Sequence, residues 1–136
     1  MQEKSAHIIQ LPKILDQRGN LSFFEEDNHI PFAIKRAFWI YDVPGGENRG
    51  GHAYRQTEEF IVALSGSFDV VITDVDGTKE TFYLNRSYYG LYVPKMKWRE
   101  MINFSTNSVA LVATSTEYDA ADYIRDFEEF RNYSAV

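Results

Sequence analysis

No cysteine occurs among the 136 residues. That excludes disulfides, thiolate zinc sites, iron–sulfur clusters and cysteine nucleophiles together. Histidine is scarce, with His7, His29 and His52 the only three. Positive charge is in deficit as well. Fourteen Lys and Arg face twenty Asp and Glu, for a net charge of −6, which argues against a nucleic-acid binder but leaves room for a local basic pocket. No stretch approaches the roughly 18 uncharged apolar residues of a membrane span. Met1, Gln2, Glu3, Lys4 and Ser5 lead straight into a β-like run with no apolar leader. With the missing cysteine, this points to a cytoplasmic protein. The length suits one domain over residues 1–136, long enough to bury a core without a staple.

What the chain does hold is aromatic surface, 15% of its residues, spread over short apolar runs broken by turn residues. That is the pattern of an antiparallel β-sandwich or barrel. Strands are expected at His7–Leu11, Leu21–Glu25 and Ile34–Tyr41, with a glycine-rich loop from Pro44 to Gly51. Glu59–Leu64 and Ser67–Thr73, joined by Ser65-Gly66, read as a tight hairpin. Lys79–Leu84, Gly90–Val93, Trp98–Asn103 and Val109–Thr114 follow as strands. In the tail Tyr123, Phe127 and Phe130 fall at helical spacing behind Asp119, a candidate N-cap, so a short C-terminal helix lying on the sheet is expected.

The chemistry concentrates between Gly46 and Gly66. Gly46, His52, Glu59 and Gly66 match four fixed positions of the first cupin motif, G-x5-H-x-H-x3/4-E-x6-G, and Tyr54 stands where the second histidine belongs. A weaker match to the second motif keeps Pro94 and Asn103 and places Arg99 at its histidine. The sequence thus resembles a cupin: an all-β, single jelly-roll barrel with a short C-terminal helix. Residues two apart on a strand share a face, so His52 and Tyr54 point together into the barrel, with Arg99 approaching from across the cavity.

Metal-binding cupins use three His and one Glu. Here the corresponding positions are His52, Tyr54, Glu59 and Arg99, and a fixed guanidinium repels a divalent ion. No metal and no cofactor are expected. A cavity lined by His, Tyr and Arg suits an organic anion instead. Arg18, Arg36, Arg49 and Arg99 can fork phosphate oxygens, and Trp39, Tyr41, Tyr92 and Trp98 can stack on a base or sugar.

Further blocks extend the resemblance over nearly the whole chain: Asp16-Gln17-Arg18-Gly19-Asn20-Leu21, Arg49-Gly50-Gly51-His52-Ala53, Trp98-x-Glu100-Met101, and Tyr118-Asp119-x-x-Asp122-Tyr123-Ile124-Arg125. In order and spacing they are similar to the WxcM-like sugar-nucleotide 3,4-ketoisomerases, which act on dTDP-4-keto-6-deoxyglucose. The resemblance implies an isomerase of deoxysugar and surface-glycan synthesis, moving a keto group from C4 to C3 through an enediol. It implies a dTDP-sugar ligand and a homodimer that exchanges N-terminal strands. As site residues it implies His52, Tyr54 and Arg99 for catalysis, and Arg18, Arg36, Tyr41, Arg49, Tyr92, Trp98 and Glu100 for substrate binding. Arg18 and Arg99 together are expected to influence stereochemistry at C4.

The chain departs from the family at one point. Family members carry His-Ala-His, and this chain reads His52-Ala53-Tyr54. An ordinary phenol, with a pKa near 10, is ionised in only about one molecule in a thousand at pH 7. Arg49 and Arg99 are expected to favour phenolate, and either His52 or Tyr54 is then a candidate base. The change leaves two alternatives: a non-catalytic sugar-nucleotide-binding cupin, and the related dTDP-sugar 3,5-epimerase.

Overall fold

In the computed structural model, residues 5–133 are described; residues 1–4, read above as lacking a leader, lie outside them. Twelve strands form: β1 (His7–Gln10), β2 (Lys13–Ile14), β3 (Leu21–Ser22), β4 (Arg36–Ile40), β5 (Arg49–Tyr54), β6 (Glu59–Ser65), β7 (Phe68–Thr73), β8 (Lys79–Leu84), β9 (Tyr89–Val93), β10 (Trp98–Ile102), β11 (Val109–Thr114) and β12 (Tyr123–Ile124). A 3-10 turn (Ala120–Asp122) precedes β12, and helix α1 (Phe127–Asn132) follows it. One five-stranded sheet runs β1-β9-β6-β11-β4, a second runs β12-β5-β10-β7-β8, and β2 and β3 make a separate ribbon. The sheets are antiparallel, and their order is that of an open jelly roll.

Alternation along the strands builds the core. Ile61 and Ala63 of β6, Leu91 and Val93 of β9, and Ala110 and Val112 of β11 face Val70 and Ile72 of β7 and Met101 of β10. The opposite parity of the first sheet, Phe60, Val62 and Tyr92, is covered from outside by Leu11, Ile30 and Phe32. Outside the second sheet, Ala53, Trp98, Ile124 and Phe130 form a third cluster.

Two sequence expectations fail here. β6 and β7 are not a hairpin, because each pairs with other strands in a different sheet. Gly66, at φ +68°, turns the chain from one sheet to the other, and a Cβ there would lie 2.6 Å from Ser105 Oγ. The tail is not one helix either. Asp119 caps only the 3-10 turn, the chain then extends to pair with β5, and Asp126 caps α1 anew. The bare edge of β5 supplies the reason, since it offers backbone partners that a helix would leave unmet. Arg55 secures the arrangement, donating at 2.8 Å to the carbonyls of both Ala121 and Tyr123 and at 2.9 Å to Glu129. The Asp122 carboxylate accepts from the Gln56 amide at 2.7 Å and from the Thr57 hydroxyl.

Candidate active site

Strands β4 and β5 are consecutive in the chain but sit in different sheets. A cleft of about 400 Å³ opens there, lined by Phe38 and Ile40 of β4, Arg49, His52 and Tyr54 of β5, Arg99 of β10, and Tyr123 and Arg125 of the tail.

Register decides which side chains meet. Arg99 pairs directly with His52 across β10 and β5, so it approaches from the neighbouring strand and not from across the cavity. Its guanidinium is buried and forks onto Glu59 at 3.0 and 2.9 Å. Burial works against its charge, and the Glu59 carboxylate more than offsets that, so Arg99 stays a cation. Glu59 is therefore engaged by a guanidinium where a metal-binding cupin offers a ligand. Among the described residues no three His, Asp or Glu side chains gather as a metal site.

His52, Tyr54 and Tyr123 form a closed group of rings. Their centroids stand 4.8 Å (His52–Tyr54), 5.0 Å (His52–Tyr123) and 4.8 Å (Tyr54–Tyr123) apart. The Tyr54 hydroxyl donates to that of Tyr123 at 3.3 Å. Arg125 lies 4.3 Å over the Tyr123 ring. His52 Nε2 is buried and has no hydrogen-bond partner. Burial first, then the cations Arg99, Arg125, Arg49 and Arg36, push the His52 pKa down to about 3, so the imidazole is neutral at physiological pH. Tyr54 moves the other way from the sequence expectation. Burial, the Glu59 carboxylate and the hydrogen bond to Tyr123 raise it well above an ordinary phenol and outweigh Arg99, so it remains protonated.

Of the residues expected at the site, His52, Tyr54, Arg49 and Arg99 share the cleft. Arg36 has the inward parity of Phe38 and Ile40; it bonds Thr114 Oγ1 at 3.4 Å and acts on His52 through its charge. The others stand elsewhere. Arg18 is exposed in the β2–β3 turn, paired with Asp16 at 2.8 Å. Tyr41 has the outward parity of Trp39 and is 61% exposed. Tyr92 is buried on the outer face of the first sheet, bonded to Glu58. Trp98 packs outside the second sheet, 5.2 Å from Phe127 and 5.7 Å from Phe130. Glu100 shares the parity of Trp98 on β10. Sequence reasoning missed Tyr123 and Arg125 as cleft residues, although both lie in the terminal block that carried the family resemblance.

A jelly roll with an arginine-rimmed cleft between its sheets places the chain among the cupins. The chain belongs, within them, to the WxcM-like, C-terminal family (FdtA), whose model matches residues 4–135. It is 41% identical over 128 residues, 94% of this chain and 91% of the relative, to the TDP-4-oxo-6-deoxy-alpha-D-glucose-3,4-oxoisomerase of Aneurinibacillus thermoaerophilus. Its fold is similar to that of the TDP-quinovose 3,4-ketoisomerase of Campylobacter jejuni, with TM-score 0.90, 41% identity, and 96% and 99% of the two chains covered. A sugar 3,4-ketoisomerase from Thermoanaerobacterium thermosaccharolyticum, solved in complex with TDP, gives TM-score 0.92 at 31% identity, with 96% and 95% covered.

Proposed function

We infer that this chain is a sugar-nucleotide 3,4-ketoisomerase, converting a dTDP-4-keto-6-deoxyhexose to its 3-keto isomer in deoxysugar synthesis. The observation that carries the reading is the 41% identity to a 3,4-oxoisomerase of this class over 94% of the chain. The cleft chemistry supports it.

Arg49 and Arg125 present guanidinium groups at the cleft, suited to the oxygens of a nucleoside diphosphate. The neutral His52, with Nε2 unpartnered, is the base that takes the C3 proton and, after that proton has exchanged with solvent, delivers one at C4. Arg49 and Arg125, which add to the burial that weakens this base, are the cations offered to the diphosphate. A bound diphosphate cancels part of their field, and the imidazole regains that part of its basicity when the substrate arrives. Tyr54, kept protonated, serves as a donor and not as the base. Positive charge around the developing enolate oxygen lowers the barrier to proton removal.

One observation favours a second reading. Tyr54 replaces a histidine of the family pattern, as expected of a chain that binds the sugar nucleotide without turning it over. The test is proton NMR of dTDP-4-keto-6-deoxyglucose with the protein in deuterated buffer. Isomerisation yields a 3-keto sugar carrying deuterium at C4. Binding of dTDP without exchange supports the non-catalytic reading, and exchange at C3 and C5 a 3,5-epimerase. As a control, His52→Asn abolishes turnover and leaves dTDP affinity within a few-fold.

The working unit in this proposal is a cytoplasmic homodimer. β1 pairs with β9 of its own chain, and the same ladder forms with the β9 of a second copy if the N-terminal strands exchange. Arg18 lies outside the cleft of its own chain, so a part in setting stereochemistry at C4 requires that second copy.

A further inference from the structure

We propose that Asp122 is a positioning residue of the site: its carboxylate fixes how far β12 sits along β5, and thereby holds Tyr123 and Arg125 at the cleft beside His52. This rests on the sugar-nucleotide reading and deepens it.

Strand β12 has two residues, paired as Tyr123 with Tyr54 and Ile124 with Ala53. So short a ladder does little to choose its own register. Alternation chooses the face. Ile124 is buried with Ala53, Trp98 and Phe130 outside the second sheet, so Tyr123 and Arg125 turn to the cleft. A slip of one residue would invert that arrangement, and the burial of Ile124 resists it. A slip of two keeps every residue on its face, so parity alone does not resist it. Such a slip moves Tyr123 along β5 by roughly 7 Å, further than the 5.0 Å between its ring and that of His52.

Asp122 supplies what parity lacks. It ends a turn preset by Asp119, whose carboxylate accepts from the Ala121 amide at 3.0 Å and whose carbonyl accepts from the Asp122 amide at 3.0 Å. From there it holds three successive residues just past the end of β5. Its carbonyl accepts from the Arg55 amide at 2.9 Å. One carboxylate oxygen accepts from the Gln56 amide at 2.7 Å, and the other from the Thr57 hydroxyl. Displacing β12 in either direction breaks all three bonds, and at a buried side chain water does not replace them without opening the corner. Asp122 itself does not line the cleft, so it acts there through Tyr123 and Arg125.

The experiment compares the parent with Asp122→Ala, Asp122→Asn, Arg125→Ala and the double variant Asp122→Ala/Arg125→Ala. Each is measured twice: for the nuclear Overhauser contact between the His52 and Tyr123 rings in the free protein, and for dTDP affinity by calorimetry. In Asp122→Ala the core methyl resonances of Ile61, Val70 and Val112 stay in place and the ring contact is lost. Its dTDP affinity falls on the order of 10- to 100-fold, as for loss of one charged hydrogen-bond donor. Arg125→Ala loses as much affinity and keeps the ring contact. The double variant binds no more weakly than Arg125→Ala, because displacing β12 has already taken the guanidinium from the cleft. Asp122→Asn still accepts from Gln56 and can donate to Thr57, so it keeps the contact and binds within a few-fold of the parent. A purely structural role would lower stability and leave the affinity of the folded protein where it was.

The proposal is overturned if Asp122→Ala keeps the ring contact, or binds dTDP as the parent does while Arg125→Ala is weakened. Additive losses in the double variant, or an Asp122→Asn as weak as Asp122→Ala, overturn it too. So does an Asp122→Ala chain that does not fold, since Asp122 would then hold the whole barrel. Parental dTDP affinity in Arg125→Ala defeats instead the assignment of the diphosphate to Arg125, and the ring contact alone then judges Asp122.

Discussion

His52 illustrates how a single side chain couples the site to stability. Its unfolded imidazole protonates near 6.5 and its folded one near 3. The unfolded chain therefore binds more protons in acid, and stability is full above pH 6.5 and declines as pH falls toward 3. The slope from this one group is about 1.4 kcal/mol per pH unit. Urea unfolding from pH 7 to 4 should show that decline, and His52→Asn should flatten it; an unchanged slope in the variant assigns the acid sensitivity to other groups. At this scale His52 and Arg99 were legible as cleft residues because a fixed motif spacing names their positions, and Arg49 because the Arg49-Gly50-Gly51-His52 block of the family resemblance does. Glu59 was visible as a motif position, but its role as counterion to Arg99 was not, because it depends on how β6 and β10, in different sheets, face each other across the core. Trp98 and Glu100, expected as substrate-binding residues, stand off the cleft of this chain, and the signal for that was present: once Arg99 points inward, its two neighbours on the strand point out.

At the scale of elements, strand positions followed from apolar runs and turn residues, and sheet membership did not. Ser65-Gly66 has the composition of a hairpin turn, yet the edges of β6 are taken by β9 and β11, a competition no local window contains. The tail failed for a related reason. Tyr123, Phe127 and Phe130 have helical spacing, but Tyr123 faces the cleft from an added strand, while Phe127 and Phe130 face Trp98 from a separate helix. Trp98 also fixes the floor of β5. A Cβ at Gly51 would lie 2.2 Å from the Trp98 indole nitrogen, whereas one at Gly50 meets nothing within 4 Å. Gly51→Ala should therefore destabilise by about 1–3 kcal/mol, as overpacking does, and Gly50→Ala by far less. Denaturant midpoints decide this, and equal midpoints would mean the tryptophan yields without strain.

For the whole molecule, the jelly roll was legible from strand number and motif register, and the proposed dimer rests on what the chain leaves uncovered. Ile14, Leu15 and Leu21 on and beside the β2–β3 ribbon are exposed, as are Trp39, Tyr41 and Leu64 on the outer face of the first sheet. Apolar surface of that kind marks an interaction face. Sedimentation velocity at micromolar concentration should report a dimer; a monomer would count against strand exchange. The buried Arg99–Glu59 pair bears on the descent of such a chain. The family resemblance lets position 99 hold either His or Arg, and the fork of Arg99 onto Glu59 says why the choice is narrow. Removing the cation outright strands a buried carboxylate, at a cost of roughly 3–5 kcal/mol, whereas an imidazole can still carry a proton beside it. In a chain that keeps Glu59, drift at position 99 is thereby expected to stay among side chains able to hold positive charge.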